Sequence, residues 1–397
     1  MKKNLLMLCY RAPYPIRSGS EIRMYQFLEI LSQQFSVTLL YLKEREETGD
    51  MRPLYEKCAG VESFPVSVWK RCAQAGAGYL FRNLPLQAGD FYSGAMQRWV
   101  KAHIGEFSHI LCMHIRTVRY VLGIKPGKLA GKHIFLDGID AITLNYYNSY
   151  LTSHGLRRLV NGMEYRRMAE YERRAYSRVK KSILISERDR DYIVNELGAD
   201  ADPAVICNYA IDYGYQPQTV KRECTICFMG KMNYAPNVDA VRHFVSAVWP
   251  GLKKEYPQLV FTIIGGNATA EILKLGQTEG IELCGFVENP AVLLQEATLV
   301  IAPMVSGSGL QNKIVQAMYL GCTVVTTPVG ADGLTGVTGE ELIVAEAGEE
   351  FCGKLIRYLA PEAEEERRKT GERAREYIRE HYSYEKIQND ILTFFAE

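Results

Sequence analysis

The sequence has no run near the ~20 consecutive apolar residues of a membrane-spanning helix. Its opening, MKKNLLMLCYRAPYP, imitates a secretion signal because two lysines precede an apolar run. That run stops at Arg11, too short for the apolar core of a signal. It reads instead as a buried first strand, Asn4 to Tyr10. Net charge is also scarce: the formal value is +1, so no overall field points to nucleic acid. Repeats and low-complexity segments are missing. The ten cysteines form no framework. Cys224 and Cys227 make one C-x-x-C, but no second pair or nearby histidine completes a zinc set. On the apolar run CTICFMG they read as strand core, and scattered thiols fit a reducing cytoplasm.

What is present is an alternation. At 397 residues the chain is too long for one ordinary core, so two domains are expected. Short apolar strands (NLLMLCY, SVTLLYL, HILCMH, KHIFLD, KSILIS) alternate with amphipathic helices such as EIRMYQFLEILSQQ. After the polar stretch Asp212 to Glu223 the pattern restarts with CTICFMG, LVFTIIGG, IELCGFV, LVIAPM and TVVTT. Alternation of this kind implies parallel sheets covered by helices. The expected fold class is α/β, with two Rossmann-like parallel-sheet domains facing a central cleft. The expected boundaries are 1–212 for an acceptor-side domain, 213–380 for a nucleotide-sugar-binding domain, and 381–397 for a helix returning to the first. Ser383, followed by Glu385 and Lys386, marks the start of that last helix.

The stretch SGSGLQNKIVQAMYLGCTVVTTPVGADGL, Ser306 to Leu334, carries the chemistry. Gly307, Ser308 and Gly309 follow the strand LVIAPM and let the backbone turn tightly toward a ligand. The helix that follows offers free amides to an anion, and Lys313 adds a full charge. The helix dipole contributes only ~0.3–1 kcal/mol, or ~2 when partly buried. Enzymes typically need ~8 kcal/mol or more of transition-state stabilisation. Chemistry on a phosphate leaving group therefore requires lysines. Lys231, directly after CTICFMG, is the second one, and adjacent strand–helix turns could bring the two onto one diphosphate. A G-x-G turn alone is often only structural; the two lysines and the later TTPVGADGL loop favour a functional reading.

These segments resemble a GT-B-fold glycosyltransferase of glycosyltransferase family 4 (group 1), the large retaining group. YRAPYPIRSGSEIRMYQFLEILS is similar to the family's first strand, glycine loop and helix. ICNYAID resembles its Pro-Asn-Gly-Val-Asp segment, keeping Asn208 and Asp212. FMGKMNYAPNVDAVRHFV and GSGLQNKIVQAMYLG…TVVTTPVGADGL resemble the start of its donor domain and its donor-nucleotide signature. The resemblance implies transfer of a sugar, with retained configuration, from a nucleotide-sugar to a saccharide or lipid-linked acceptor. The class of product implied, bacterial surface polysaccharide or glycolipid, also comes from the resemblance. It implies no metal and no resident cofactor, the UDP- or GDP-sugar being a substrate. Lys231 and Lys313 then hold the departing diphosphate. Donor-binding positions are Gly19, Gly230, Phe286, Val287, Gly307, Ser308, Gly309, Leu310 and Gln316, with Phe286 and Val287 at the base. His114, ending HILCMH, falls near a histidine that contacts the transferred sugar in relatives; strand-end histidines are otherwise often structural. Asp137 and Asp140 end the strand KHIFLD as acceptor-side or structural groups.

Three departures stand out. Ser308 replaces the first of two family glutamates. Gln316 replaces the second, which accepts hydrogen bonds from the ribose. A charged hydrogen bond is worth ~1.5–3 kcal/mol and a neutral one ~0.5–1.5. The exchange then costs about 1 kcal/mol of donor affinity, and Gln316→Glu is expected to keep or improve donor binding. Pro236 stands where many relatives carry a second phosphate lysine, with Lys313 as the substitute.

Between Leu156 and Lys181 nine basic residues face three acidic ones, a net +6. The plain reading is a solvated helix with i,i+4 pairs. The sharper one is a peripheral contact near 157–181 with anionic lipid at the inner membrane face. Two other functions compete with sugar transfer: a non-catalytic nucleotide-binding subunit of the same fold, and a sugar-nucleotide epimerase, which turns over without an acceptor. A nicotinamide dehydrogenase is excluded, because Tyr10 to Ser18 intervenes where a tight G-x-G-x-x-G is required.

Overall fold

The computed structural model describes residues 2–396 apart from 17, 44–49, 67–75, 77, 80–83, 180, 217–221, 308 and 335. The chain divides into two compact units. The first comprises Met1–Asn208 with Gln388–Glu397, and the second Tyr209–Ile387. The division thus falls four residues before the boundary expected from the linker, and the returning segment starts at Gln388 rather than 381.

The first unit holds seven strands: β1 (Lys3–Cys9), β2 (Phe35–Lys43), β3 (Gly60–Pro65), β4 (His109–Met113), β5 (His133–Ile139), β6 (Lys181–Leu184) and β7 (Ala204–Val205). All pair in parallel in the order β3-β2-β1-β4-β5-β6-β7. Leu5, Leu6, Met7 and Leu8 of β1 are fully buried, which is why that strand reads as a continuous apolar run. Its helices include α1 (Gly19–Gln34), α2 (Ile142–Thr152) and α3 (Gly155–Arg178).

The second unit repeats the plan with β8 (Arg222–Met229), β9 (Val260–Ile264), β10 (Ile281–Gly285), β11 (Ala297–Ala302), β12 (Val324–Thr326) and β13 (Ile343–Val344). Their order is β10-β9-β8-β11-β12-β13, again parallel. Helices α4 (Ala235–His243) and α5 (Asn312–Tyr319) follow β8 and β11. Helix α6 (Glu364–His381) precedes α7 (Tyr384–Ala396), which starts after Ser383, whose hydroxyl accepts from the Lys386 amide at 3.3 Å. Phe395 near the end of α7 stacks on Phe135 of β5, with centroids 4.2 Å apart, fastening the returning segment to the first sheet.

In each sheet the chain order reverses once, between β1 and β4 and between β8 and β11. Strands at such a reversal send their following loops to opposite faces, leaving a crevice beyond their carboxyl ends. The sequence-selected residues emerge at these two places.

One buried ion pair organises the first crevice. Arg23 of α1 is fully buried and donates from Nε to Asp137 Oδ2 at 2.7 Å and from Nη2 to Oδ1 at 2.9 Å. Its Nη1 donates to the Ile206 carbonyl (2.9 Å) and to Asn208 Oδ1 (3.1 Å). The arginine thus ties α1, β5 and the exit of β7 together. Removing one partner of such a pair leaves a buried charge. Asp137→Ala is expected to cost about 3–5 kcal/mol in denaturant unfolding. Arg23→Met combined with Asp137→Leu should recover most of that loss. Unfolding of Asp137→Ala at the wild-type midpoint would contradict this role.

Candidate functional site

The second unit brings together most of the donor-side residues. Gly230 and Lys231 follow β8, and its neighbour loops are stitched to them by backbone bonds. The Gly230 amide donates to the Ile264 carbonyl (2.9 Å), Met232 to Gly266 (3.0 Å) and Gly265 to Gly285 (2.8 Å). These bonds set the loops after β8, β9 and β10 side by side. A Cβ on Gly265 would lie 1.7 Å from the Gly230 carbonyl oxygen, so only glycine fits. Phe286 lies against Gly266 and is 72% exposed, with Val287 half-buried beside it. An exposed aromatic ring on this rim is available to a flat apolar group.

The Asn237 carboxamide joins the two lysine-bearing loops. Its Nδ2 donates to the Lys231 carbonyl at 3.0 Å. Its Oδ1 accepts from Lys313 Nζ at 2.5 Å. Asn237 is buried, and a Cβ on Gly230 would approach its Nδ2 to 2.6 Å. Gly230 therefore makes room for the asparagine. Lys313 is the second residue of α5; its ammonium also reaches Met304 Sδ at 3.2 Å and lies 5.0 Å from the Phe228 ring centroid. No carboxylate pairs with it among the described residues. Burial lowers its pKa from 10.5 to about 7. The ammonium of Lys231 makes no hydrogen bond or ion pair among the described residues.

The loop between β11 and α5 packs on this centre. Gly307 adopts φ +121° and sits 3.6 Å from Pro236 by its missing Cβ, and Gly309 adopts φ +69°. Ser308 lies outside the described residues. Leu310 is buried, and a Cβ on Gly333 would lie 2.6 Å from the Leu310 Cα. The later glycine loop thus buttresses the first.

Gln316 takes a different position from the one expected of a ribose ligand. Its Oε1 accepts from the Ile211 amide at 3.0 Å and its Nε2 donates to the Ile211 carbonyl at 2.5 Å. The side chain is buried and clamps the backbone N–H and C=O of one residue, Ile211, of the ICNYAID segment. That pairing needs a donor and an acceptor on one side chain, which a carboxamide supplies and a carboxylate does not.

In the first unit Gly19 opens α1. His114 follows β4 with φ +73°, a conformation unusual for a residue with a Cβ. Its amide donates to the Asp137 carbonyl at 2.6 Å, which holds it there. Nδ1 accepts from the Arg116 amide at 3.3 Å, which assigns the proton to Nε2. Burial, then Arg116 and Arg11, hold its pKa well below the usual value, so the ring is neutral at pH 7. Tyr10 packs on it at 5.1 Å, and Arg116 lies over both Tyr10 and Phe91.

The two acids of β5 part company. Asp137 is fully buried and pairs both carboxylate oxygens with Arg23, in keeping with the structural of its two expected roles. A register shift between Asp137 and Ile139 separates it from Asp140. Burial, Asp189, Asp137 and Glu172 raise Asp140 to about 8, with Arg23 opposing, so it is protonated at neutral pH. Asp189 accepts from the Ala141 amide (3.0 Å), while Glu172 accepts from the Ile142 and Thr143 amides (both 2.9 Å) and caps α2.

Asn237, Arg116 and the Gly265–Gly266 pair escape a reading by motif. Asn237 had one signal: a poor helix former placed inside a helix start, six residues after the lysine it holds.

Residues 223–360 match the family described as Glycosyl transferases group 1, a stretch lying within the second unit. A Klebsiella pneumoniae protein named "Uncharacterized 44.6 kDa protein in cps region" is 27% identical over 143 residues, 34% of this chain and 37% of that protein. The match therefore spans little more than a third of the relative. Anabaena Alr3699/HepE, solved in complex with UDP, is 14% identical over 100% of both chains with a TM-score of 0.68. A TarM mutant from S. aureus, solved with Fondaparinux, alpha-GlcNAc-glycerol and UDP, is 12% identical over 100% of both chains with a TM-score of 0.70. At these identities the likeness is one of fold: the two parallel-sheet units have the GT-B arrangement of strands and helices.

Replacing Gln316 by glutamate should now weaken the protein. The carboxylate would face the Ile211 carbonyl, and an unsatisfied buried polar group costs about 1–3 kcal/mol. Denaturant unfolding is expected to show that loss at pH 8 and a smaller one near pH 4, where a carboxylic acid can donate. Equal stability of Gln316→Glu and wild type at pH 8 would contradict the clamp.

Proposed function

We propose that the protein is a retaining glycosyltransferase that moves a sugar from a UDP- or GDP-sugar to a saccharide or lipid-linked acceptor in the cytoplasm, in the synthesis of a surface polysaccharide or glycolipid. The observation that carries this is the Asn237 bridge, which holds Lys313 and the Lys231 loop at the chain reversal of the second sheet. Two lysines without carboxylate partners among the described residues suit a diphosphate. In this reading the bond between the anomeric carbon and the diphosphate breaks, and the two ammonium groups take up the charge that develops on the leaving oxygen. Side-chain cations, with no metal or resident cofactor, serve the departure. Gly307 and Gly309, with Ser308 between them, and Leu310 bring backbone close to the phosphates. The exposed Phe286 and Val287 face the base. Gly19, which opens α1, is a further donor contact in this reading. His114, neutral and protonated on Nε2, donates to a hydroxyl of the transferred sugar. Asp140, kept as a carboxylic acid, is a donor for the acceptor.

The group 1 match supports the donor half of this reading. The UDP complexes of the Anabaena and S. aureus proteins support a uridine nucleotide first.

Release of UDP or GDP from a panel of sugar nucleotides, with and without saccharide acceptors, tests the proposal. Lys313→Ala is expected to lower turnover by about 10²–10³-fold. Unchanged turnover would remove the phosphate clamp, and turnover without acceptor would point to epimerisation.

The lowered Lys313 pKa gives a second expectation. With a value near 7, the free side chain is mostly neutral at pH 8. A bound diphosphate favours the charged form and raises the value toward 10.5. Binding at pH 8 should therefore take up about one proton, and binding at pH 6, where the lysine is already charged, should take up almost none. Calorimetry in buffers of different ionisation enthalpy reads this directly. Equal uptake by Lys313→Met at pH 8 would assign the proton elsewhere.

A further inference from the structure

The helical hairpin of α2 and α3 carries an apolar stripe that faces outward. Leu156, Leu159, Val160 and Met163 stand at i, i+3, i+4 and i+7, the spacing of a helix face made for burial. All four are exposed, Leu156 at 78% and Leu159 at 60%. Leu151 (51%) and Tyr147 on α2 add to them. Six of the thirteen large apolar side chains exposed in the described chain thus fall within residues 147–163. A concentration of this kind marks a contact surface rather than scattered surface residues.

The hairpin does not need this stripe for its own packing. Met168, Tyr171, Ala175 and Tyr176 of α3 face the interior. Gly162 lets the Tyr150 ring approach to 3.1 Å of a would-be Cβ, so the two helices close on each other without the outer leucines.

The charge around the stripe is of one sign. From Ala141 to Met163 there are Arg157 and Arg158 and no carboxylate. Arg158 lies over the Tyr150 ring at 4.8 Å. Glu164, next in the chain, is turned inward and accepts from the Leu86 amide at 2.9 Å. Further along, Arg173 is paired with Glu170, and Arg167 donates to the Tyr79 carbonyl. Two of the later arginines are thus engaged by the protein, while the first two turns combine leucines with Arg157 and Arg158, which no carboxylate pairs among the described residues.

We propose that the tip of this hairpin, residues 147–163, docks on the surface of an anionic lipid bilayer, leucines in the acyl boundary and arginines at the phosphates. Among the described residues no helix is long and apolar enough to span a membrane, so the contact is interfacial. A second copy of the chain fits less well, because a two-fold contact through this face would set like charges together with no acid to pair them. The proposal does not rest on the glycosyl-transfer reading.

Sedimentation of the full chain with sucrose-loaded vesicles tests it, using phosphatidylcholine alone and phosphatidylcholine with about 30% phosphatidylglycerol. Wild type should bind the anionic vesicles at least about tenfold better than the neutral ones. Leu156→Ser with Leu159→Ser, and separately Arg157→Gln with Arg158→Gln, should each lower that binding at least about fivefold with an unchanged far-ultraviolet spectrum. Equal recovery with both vesicle types, or binding unaffected by either pair, would overturn the proposal. So would self-association in sedimentation velocity that the leucine pair abolishes while vesicles stay unbound.

Discussion

The second unit's site depends on one carboxamide. Asn237 gives its amide hydrogens to the Lys231 carbonyl and its oxygen to the Lys313 ammonium, and so fixes two loops from different strands with a single planar group. The rest follows from making room for it. Gly230 has no side chain because the asparagine occupies that space, and Gly265 has none because the Gly230 carbonyl does. The stitched loops after β9 and β10 then carry Phe286 to the same rim. A hydrogen bond to a charged group contributes about 1.5–3 kcal/mol, enough to hold a lysine against the loss of its side-chain freedom.

Lys313 is costly to keep where it is. Enclosed beside Phe228 and Met304, it has one oxygen acceptor and no carboxylate among the described residues, and its charge is half lost at neutral pH. A purely structural position would be better filled by an apolar side chain. The arrangement makes physical sense when a strong anion arrives and restores the charge in a place where water does not screen it. The first unit shows the opposite solution: Arg23 is paired with a carboxylate, and four of its five N–H donors go to Asp137, Ile206 and Asn208.

Much of this was legible in the residues. The alternation of apolar strands and amphipathic helices specified two parallel sheets, because strands buried on both faces cannot be polar on either. The places of Lys231, Gly307 and Gly309 in loops after strands, and of Lys313 at the start of the next helix, were legible because Gly and Lys follow short apolar runs there. The partner of Gln316 was not legible. A motif position implies a ligand contact, but the side chain is bonded to a peptide 105 residues away in sequence. Asp137 likewise looked like an acid at a strand end, and its arginine partner is 114 residues distant. The charge of the run from Leu156 to Lys181 was visible, yet not which carboxylates turn inward, and that decides what its surface presents. Pairings of this range are set by the fold and leave no local mark in the chain.

The most direct measurement is calorimetric titration of UDP, GDP, ADP and CMP into wild type and Asn237→Ala, with chelator present. The account predicts that one nucleoside diphosphate binds wild type at roughly micromolar strength and that Asn237→Ala weakens it about tenfold or more. Binding of none of them, or equal binding by both proteins, would contradict it.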